Sequence, residues 1–299
     1  MQSQNIERPL AWFYAPMAVG FTDRLTPVAV VYDCMDELSA FRGAPLQMAE
    51  REQRLMSIAD VVFAGGRSLF ESKRRLHHNI HLFPSSIDYD HFAQARRPQT
   101  QPADQAGIPG PRAGFFGVID ERFDFDLIAG AAALLPDVQF VFLGPVVKVS
   151  PQDLPRAANI HYLGQKSYAE LPAYLSGWDV ALIPFALNES TKFISPTKTP
   201  EYLAAARPVV STPIADVIAG YGSVVRIAAN PAQFASAITA AIADAGDPAW
   251  IARAGDAVSG QSWDATWEAM RKLVAPFLLN VQEKMELLRV EKRANCTTI

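Results

Sequence analysis

The segment Ser195-Pro196-Thr197-Lys198-Thr199-Pro200-Glu201-Tyr202-Leu203-Ala204-Ala205-Ala206-Arg207-Pro208-Val209-Val210 runs from a small polar loop into a helix and out into a strand. Its alanine- and leucine-bearing middle predicts a helix over Pro200–Ala206, and Pro208–Ser211 reads as the strand. A helix start offers unpaired N–H groups and a partial positive charge, so it can hold a phosphate. Lys198 adds a full cation at that mouth, and Glu201 could accept hydrogen bonds from a ribose diol. The same residues have a purely structural reading. Ser195 or Thr199 then caps the helix, and Glu201 complements its dipole.

Outward from this segment, short apolar runs alternate with amphipathic ones along the whole chain. On the C-terminal side of the chain's middle, strands are predicted at Ala113–Phe116, Gln139–Leu143, Ile160–Leu163 and Val180–Pro184. Helices fall at Asp126–Leu135, Tyr168–Ser176, Phe234–Ala243 and Ala265–Phe277. On the N-terminal side, strands read at Leu10–Tyr14, Val28–Tyr32, Val61–Ala64 and Ile80–Phe83. Helices read at Leu46–Ala59 and Ser68–His77, the latter with Ser68 near its cap. Buried strands alternating with helices mean parallel sheets covered on both faces. Between the halves, Arg96–Pro111 is rich in proline, glycine and polar residues and is the candidate linker. The organisation expected is an N-terminal domain over 1–98, a linker over 99–111, a second domain over 112–261, and closing helices and tail over 262–299. The second domain has about the five or six strands of a doubly wound sheet, while the first has only about four.

Composition narrows the function. Hydrophobic residues make up 49% of the chain and charged ones 19%, a balance that excludes global disorder. A net charge of −4 speaks against a general nucleic-acid binder, since phosphate-tracking surfaces leave a basic excess. Cys34 and Cys296 form no disulfide framework and no zinc spacing, which fits a reducing compartment. No apolar run approaches a bilayer span, and the start lacks a secretion signal, so a cytoplasmic location is expected. The final Cys296-Thr297-Thr298-Ile299 is a poor match to a prenylation box, with threonines at its aliphatic positions.

Further side chains carry chemistry. Asp33 and Asp36, in Tyr32-Asp33-Cys34-Met35-Asp36-Glu37, lie where a parallel strand ends. Ligands of open α/β sheets gather there. Either carboxylate could orient an acceptor hydroxyl or act as its base, and either could equally be a cap or turn residue. Alternation at the strand end predicts that both face the interdomain cleft while Cys34 points into the sheet. Gly65-Gly66-Arg67-Ser68 also follows a strand and reads as a close backbone approach or a plain tight turn. Lys73, Arg74, Arg75, His77 and His78 form a basic cluster that reads as a solvated helix face or as a contact with anionic lipid at the membrane's inner side. Trp263 and Trp267, four apart, read as core or interdomain packing.

The segment Ser195–Val210 resembles the nucleotide-sugar signature of GT-B glycosyltransferases, in particular retaining group 1, family 4-like enzymes of bacterial cell-surface polysaccharides. Other blocks fall in that family's order. They are Gly114-Phe115-Phe116-Gly117, Phe140-Val141-Phe142-Leu143-Gly144, Ile160-His161-Tyr162-Leu163-Gly164 and Trp178-Asp179-Val180-Ala181-Leu182-Ile183-Pro184. Leu82-Phe83-Pro84-Ser85-Ser86-Ile87-Asp88 and Ser262-Trp263-Asp264 extend the likeness to most of the chain from Val28 onward.

The resemblance implies an α/β, GT-B-like fold of two Rossmann-like doubly wound domains, the N-terminal one incomplete. It implies a donor site on Gly117, Arg122, Gly164, Ser195, Thr197, Lys198 and Glu201, with Arg122 and Lys198 on the diphosphate. Transfer would run from a nucleotide-diphosphate sugar to a hydroxyl of a saccharide or lipid-linked acceptor, with no metal and no further cofactor expected. A nucleotide-sugar epimerase of the same fold, and a non-catalytic nucleotide-binding module, remain as alternatives.

Two positions depart from the family pattern. Its first glutamate would fall at Phe193, and its basic pair after the glycine turn is reduced to Arg122, which could instead pair with Asp124 or Asp126. The family's first N-terminal strands and their glycine turn are also missing from this sequence. Such a sheet edge at Leu10–Tyr14 would self-associate, bind a partner, or be covered by the chain's own C-terminal segment.

Overall fold

The computed structural model describes residues 8–279, so Cys296 and the C-terminal tetrapeptide lie outside the described residues. Two parallel sheets make up the molecule. The first holds β1 (Leu10–Phe13), β2 (Ala29–Cys34), β3 (Val61–Ala64) and β4 (Ile80–Leu82), in the order β1-β2-β3-β4. The second holds β5 (Arg112–Phe116), β6 (Gln139–Leu143), β7 (Ile160–Gly164), β8 (Val180–Ile183), β9 (Val209–Ser211) and β10 (Val225–Ile227). Its order is β10-β9-β8-β5-β6-β7. The chain winds outward from β5 to β7, returns to β8 beside β5, and winds the other way. The switch point therefore lies between β5 and β8, where the loops after adjacent strands part and leave a crevice.

Residue type explains the strands. Every residue of β2, β3 and β8 is buried, as sheets covered on both faces require. The second domain has one large core, in which Phe115, Phe140, Phe142, Trp178 and Tyr202 are fully buried. The proline-rich connection is itself packed. Gln105, in the short helix Ala103–Ala106, is buried and accepts a hydrogen bond from Trp178 Nε1 at 2.8 Å.

Sequence reading misses the helix Ala215–Tyr221, the strand β10 and the helix Pro248–Ala257. β10 is three residues long with an exposed arginine at its centre, so it has no apolar run to detect. The helix of the signature starts earlier than expected and spans Lys198–Ala204, so Lys198 is its first residue. Its N-cap is Thr197 and makes no side-chain cap, while Thr199 is buried inside the helix. Neither Ser195 nor Thr199 caps it.

Three expectations about the first domain are corrected. The helix Arg67–Lys73 is shorter than expected and its cap position is Gly66. Ser68 lies in its first turn, and the Ser68 N–H donates to Asp216 Oδ1 of the second domain at 2.9 Å. The basic cluster is split by burial. Lys73 is buried between Glu37 and Glu52, at 2.7 and 2.8 Å, and the buried His77 ring bonds Ala59 O. Only Arg74, Arg75 and His78 remain exposed, and Arg74 pairs with Glu71. Of the two readings of the closing-helix tryptophans, core is ruled out, since Trp263 and Trp267 are each about half exposed, and interdomain packing holds for Trp267.

That helix, Trp263–Leu278, crosses back to the first sheet. Met270 and Val274 pack on Val31, Val61 and Phe63, and Trp267 meets Trp12 of β1 with ring centroids 5.9 Å apart. Among the described residues β1 pairs with β2 alone.

Candidate active site: a cleft at the switch point

The carboxyl ends of both sheets face one cleft of about 370 Å³. From the first domain come Met35, Asp36, Gly65 and Ser85; from the second come Gly117, Arg122, Ser195, Thr197 and Lys198. Gly117 ends β5 with φ +146° and Gly144 ends β6 with φ +145°. A methyl group at Gly144 would overlap the Gly117 carbonyl oxygen, so these two turns cross at a distance only glycine permits. That crossing brings the loop carrying Arg122 alongside the helix that begins at Lys198.

Lys198 is a cation at a helix start, where the dipole opposes it. Three contacts hold it there. Its Nζ lies 2.8 Å from Glu201 Oε2, donates to the Thr197 hydroxyl at 3.2 Å, and sits 4.7 Å from the centroid of the Phe116 ring. Phe116 in turn is fixed by its backbone N–H, which donates to the Tyr202 hydroxyl at 3.1 Å. Burial raises the Glu201 pKa above the usual carboxylate range, and the charges of Lys198 and His91 pull against that rise. A cation held at the positive end of a helix, on the wall of an open cleft, is a place where an anion can be received.

Arg122 does not pair with Asp124 or Asp126. Its Nε and Nη2 donate to the Asp120 carboxylate at 2.9 and 2.8 Å, and its guanidinium lies 5.9 Å from the ring centroids of both Phe41 and Phe185. Asp124 is occupied as the cap of the helix Phe125–Leu134. Burial works against the Arg122 charge, but hydrogen bonding to Asp120 and the charges of Asp120 and Asp36 hold its pKa above the ordinary value. Arg122 is therefore fixed and ionised at the cleft wall, with Asp36 of the other domain near enough to feel it. Burial raises the Asp36 pKa, and Arg122 opposes that rise.

The cleft thus joins Asp36, Gly117, Arg122, Ser195, Thr197 and Lys198, with Glu201 reached through Lys198. It does not include Gly164, which ends the edge strand β7 in an exposed left-handed turn and accepts from Gly144 N at 2.9 Å. Asp33 is also elsewhere. It is buried, takes the Trp12 Nε1 hydrogen bond at 3.2 Å, and lines a separate aromatic pocket. Cys34 points into the first domain near Glu52, and burial pushes its thiol up to about 12, so it is a packing residue. At the missing-glutamate position, Phe193 packs against the core of the first domain.

Sequence reading missed Asp120 and Phe116, the two residues that position the cations. Asp120 was visible as an acid two residues before Arg122, whereas nothing along the chain places Phe116 under Lys198.

Known proteins share this two-sheet architecture. Residues 110–244 match the family described as "Glycosyl transferases group 1". The Bacillus subtilis (strain 168) protein TuaH, named as a teichuronic acid biosynthesis glycosyltransferase, is 28% identical over 228 residues. The match covers 70% of this chain, which spans 57% of the length of that relative. Sucrose-phosphate synthase from Thermosynechococcus elongatus superposes with a TM-score of 0.69 at 18% identity, covering 92% of this chain and 75% of its own. HepE of Anabaena in complex with UDP superposes with a TM-score of 0.66 at 15% identity, covering 89% and 79%. The chain has the two-sheet GT-B fold, and the part of it that is similar to the group 1 glycosyl transferases, residues 110–244, is the part that carries Arg122, Lys198 and Glu201.

Proposed function

We propose that this chain transfers a sugar from a nucleotide-diphosphate donor to a hydroxyl acceptor in the synthesis of a cell-surface polysaccharide or glycolipid. The observation that carries the reading is the convergence of Arg122 and Lys198 on one cleft at the switch point, inside the matched domain. As the bond from the sugar to the diphosphate breaks, charge develops on the leaving phosphate. Fixed cations aimed at that charge stabilise the transition state. In this reading Arg122, Lys198 and the first N–H groups of the helix Lys198–Ala204 meet the diphosphate without a metal, and Glu201 holds the ribose diol. Asp36 lies on the same cleft and is the candidate for orienting or deprotonating the acceptor hydroxyl. A structural relative supports a uridine nucleotide, since crystal structures of HepE hold UDP and UDP-glucose.

No helix among the described residues is long and apolar enough to cross a membrane. We place the reaction in the cytoplasm. Contact with an anionic inner membrane face would rest on Arg74, Arg75 and His78. Calorimetry with UDP and UDP-glucose tests donor binding, and product analysis with and without an acceptor separates transfer from isomerisation of the donor. Absence of binding to any nucleoside diphosphate or its sugars would end this reading.

A further inference from the structure

A second cavity of about 430 Å³ opens at the carboxyl ends of β1 and β2, beneath the closing helix. Its walls are aromatic: Trp12 and Tyr14 from the end of β1, Trp263 and Trp267 from the helix. It adjoins the cation-lined cleft, since Met35 and Ser85 line both. None of Arg122, Thr197 or Lys198 lines it. Its one carboxylate is Asp33, which is 4% exposed. Asp33 Oδ2 accepts from Trp12, and Oδ1 has no hydrogen-bond partner among the described residues.

These features select a ligand. Half-exposed tryptophans four apart on a helix, facing a third tryptophan, offer flat apolar surface that packing has not used. A carboxylate can accept about four hydrogen bonds, and burying one with a single partner is costly unless a ligand or water completes it. A lipid chain would cover the rings but leave Asp33 unsatisfied. A pyranose ring fits both demands, because its C–H face lies flat on an aromatic ring while its hydroxyl rim donates to a carboxylate. We propose that this pocket binds a sugar ring of the acceptor glycan, held between the closing-helix tryptophans and Asp33. The role of that ring as acceptor rests on the glycosyl-transfer reading; the binding itself does not. The closing helix would then serve the site as well as fastening the second domain to the first.

Titration of the full chain with maltose, cellobiose and N,N′-diacetylchitobiose, followed by saturation-transfer NMR, tests the proposal. At least one disaccharide should bind, with its aliphatic protons receiving saturation from aromatic side chains. Trp263→Ala and Trp267→Ala should each weaken it about tenfold, and Asp33→Asn should weaken it about fivefold. UDP affinity should be unchanged in all three, which also reports that each variant is folded. No binding by any of the three sugars, or binding indifferent to both tryptophan variants, overturns the proposal. So does capture of geranyl phosphate in place of the sugars with the same mutational dependence. Sugar binding without UDP binding would sink the donor reading and leave this pocket standing.

Discussion

Lys198 Nζ lies 2.8 Å from Glu201 Oε2, three residues further along the same helix, so the two side chains proposed to grip a donor grip each other in the free protein. The pair neutralises a cation that the helix dipole disfavours. Replacing Lys198 or Glu201 by alanine should each weaken UDP binding by roughly 1.5–3 kcal/mol, the range for hydrogen bonds to charged groups. Because they touch, the double variant should lose less than the sum of the two single losses. Calorimetry checks both points, and wild-type affinity in both single variants would remove this helix from the site.

Asp36 makes a prediction about pH. Its folded-state pKa is raised by burial, with Arg122 opposing. A carboxyl group with a raised folded pKa binds its proton more tightly folded than unfolded. Its contribution to stability is therefore full below the unfolded pKa and is lost as pH rises through the folded one. Asp36→Asn should gain stability relative to wild type as pH rises from the acid side, and the gap should close again on acidification. Transfer activity should fall in the same variant if Asp36 serves the acceptor hydroxyl. Thermal melting across pH measures the first effect. Parallel melting curves for the two proteins at all pH values would show that burial of Asp36 carries no cost.

The junction of the domains offers a third test. A methyl group on Gly66 would overlap Asp216 Oδ2 and lie 2.9 Å from Ser195 Cβ. Gly66→Ala should thus cost about 1–3 kcal/mol, the range for overpacking, and should weaken UDP binding by displacing the loop that carries Ser195. Adding Asp216→Ala should relieve part of the clash. It would also remove the carboxylate that accepts from the Ser68 N–H, a cap typically worth about 1 kcal/mol. If Gly66→Ala leaves both stability and UDP affinity untouched, the two domains do not meet as closely as Ser68 and Asp216 imply.

The crossing of Gly117 and Gly144 is equally exposed to test. Both have φ near +145°, and a side chain at Gly144 has no room beside the Gly117 carbonyl. Gly144→Ala should destabilise the second domain by about 1–3 kcal/mol and loosen Arg122 from the cleft wall. Chemical denaturation and UDP titration would read both. A neutral result would mean the turn can open without cost.

What a sequence can state alone is set by local chemistry. The apolar runs Val61–Ala64 and Gln139–Leu143 are strands because a covered parallel strand must be apolar on both faces, and that is legible residue by residue. The loop-helix-strand of Ser195–Val210, the alternation of elements and the order of the blocks likewise follow from short-range pattern. Together they foretold two parallel sheets, one of about four strands and one of five or six.

Tertiary structure decided the rest, because it depends on residues far apart in the chain. Lys73 looks like part of a solvated basic face until Glu37 and Glu52 close around it. Trp263 and Trp267 read as core or as interdomain packing, and only the docked helix decides between them, setting Trp267 against Trp12 of the first sheet and leaving both half exposed. Ser68 looks like a cap until Asp216, 148 residues away, takes its N–H. Asp33 and Asp36, three apart at one strand end, part into two pockets because the chain turns sharply after β2 and Trp12 claims the first of them. Burial and partner choice are sums over neighbours that only the packed fold brings together, and those sums set which charges are paired here and which are left to bind something else.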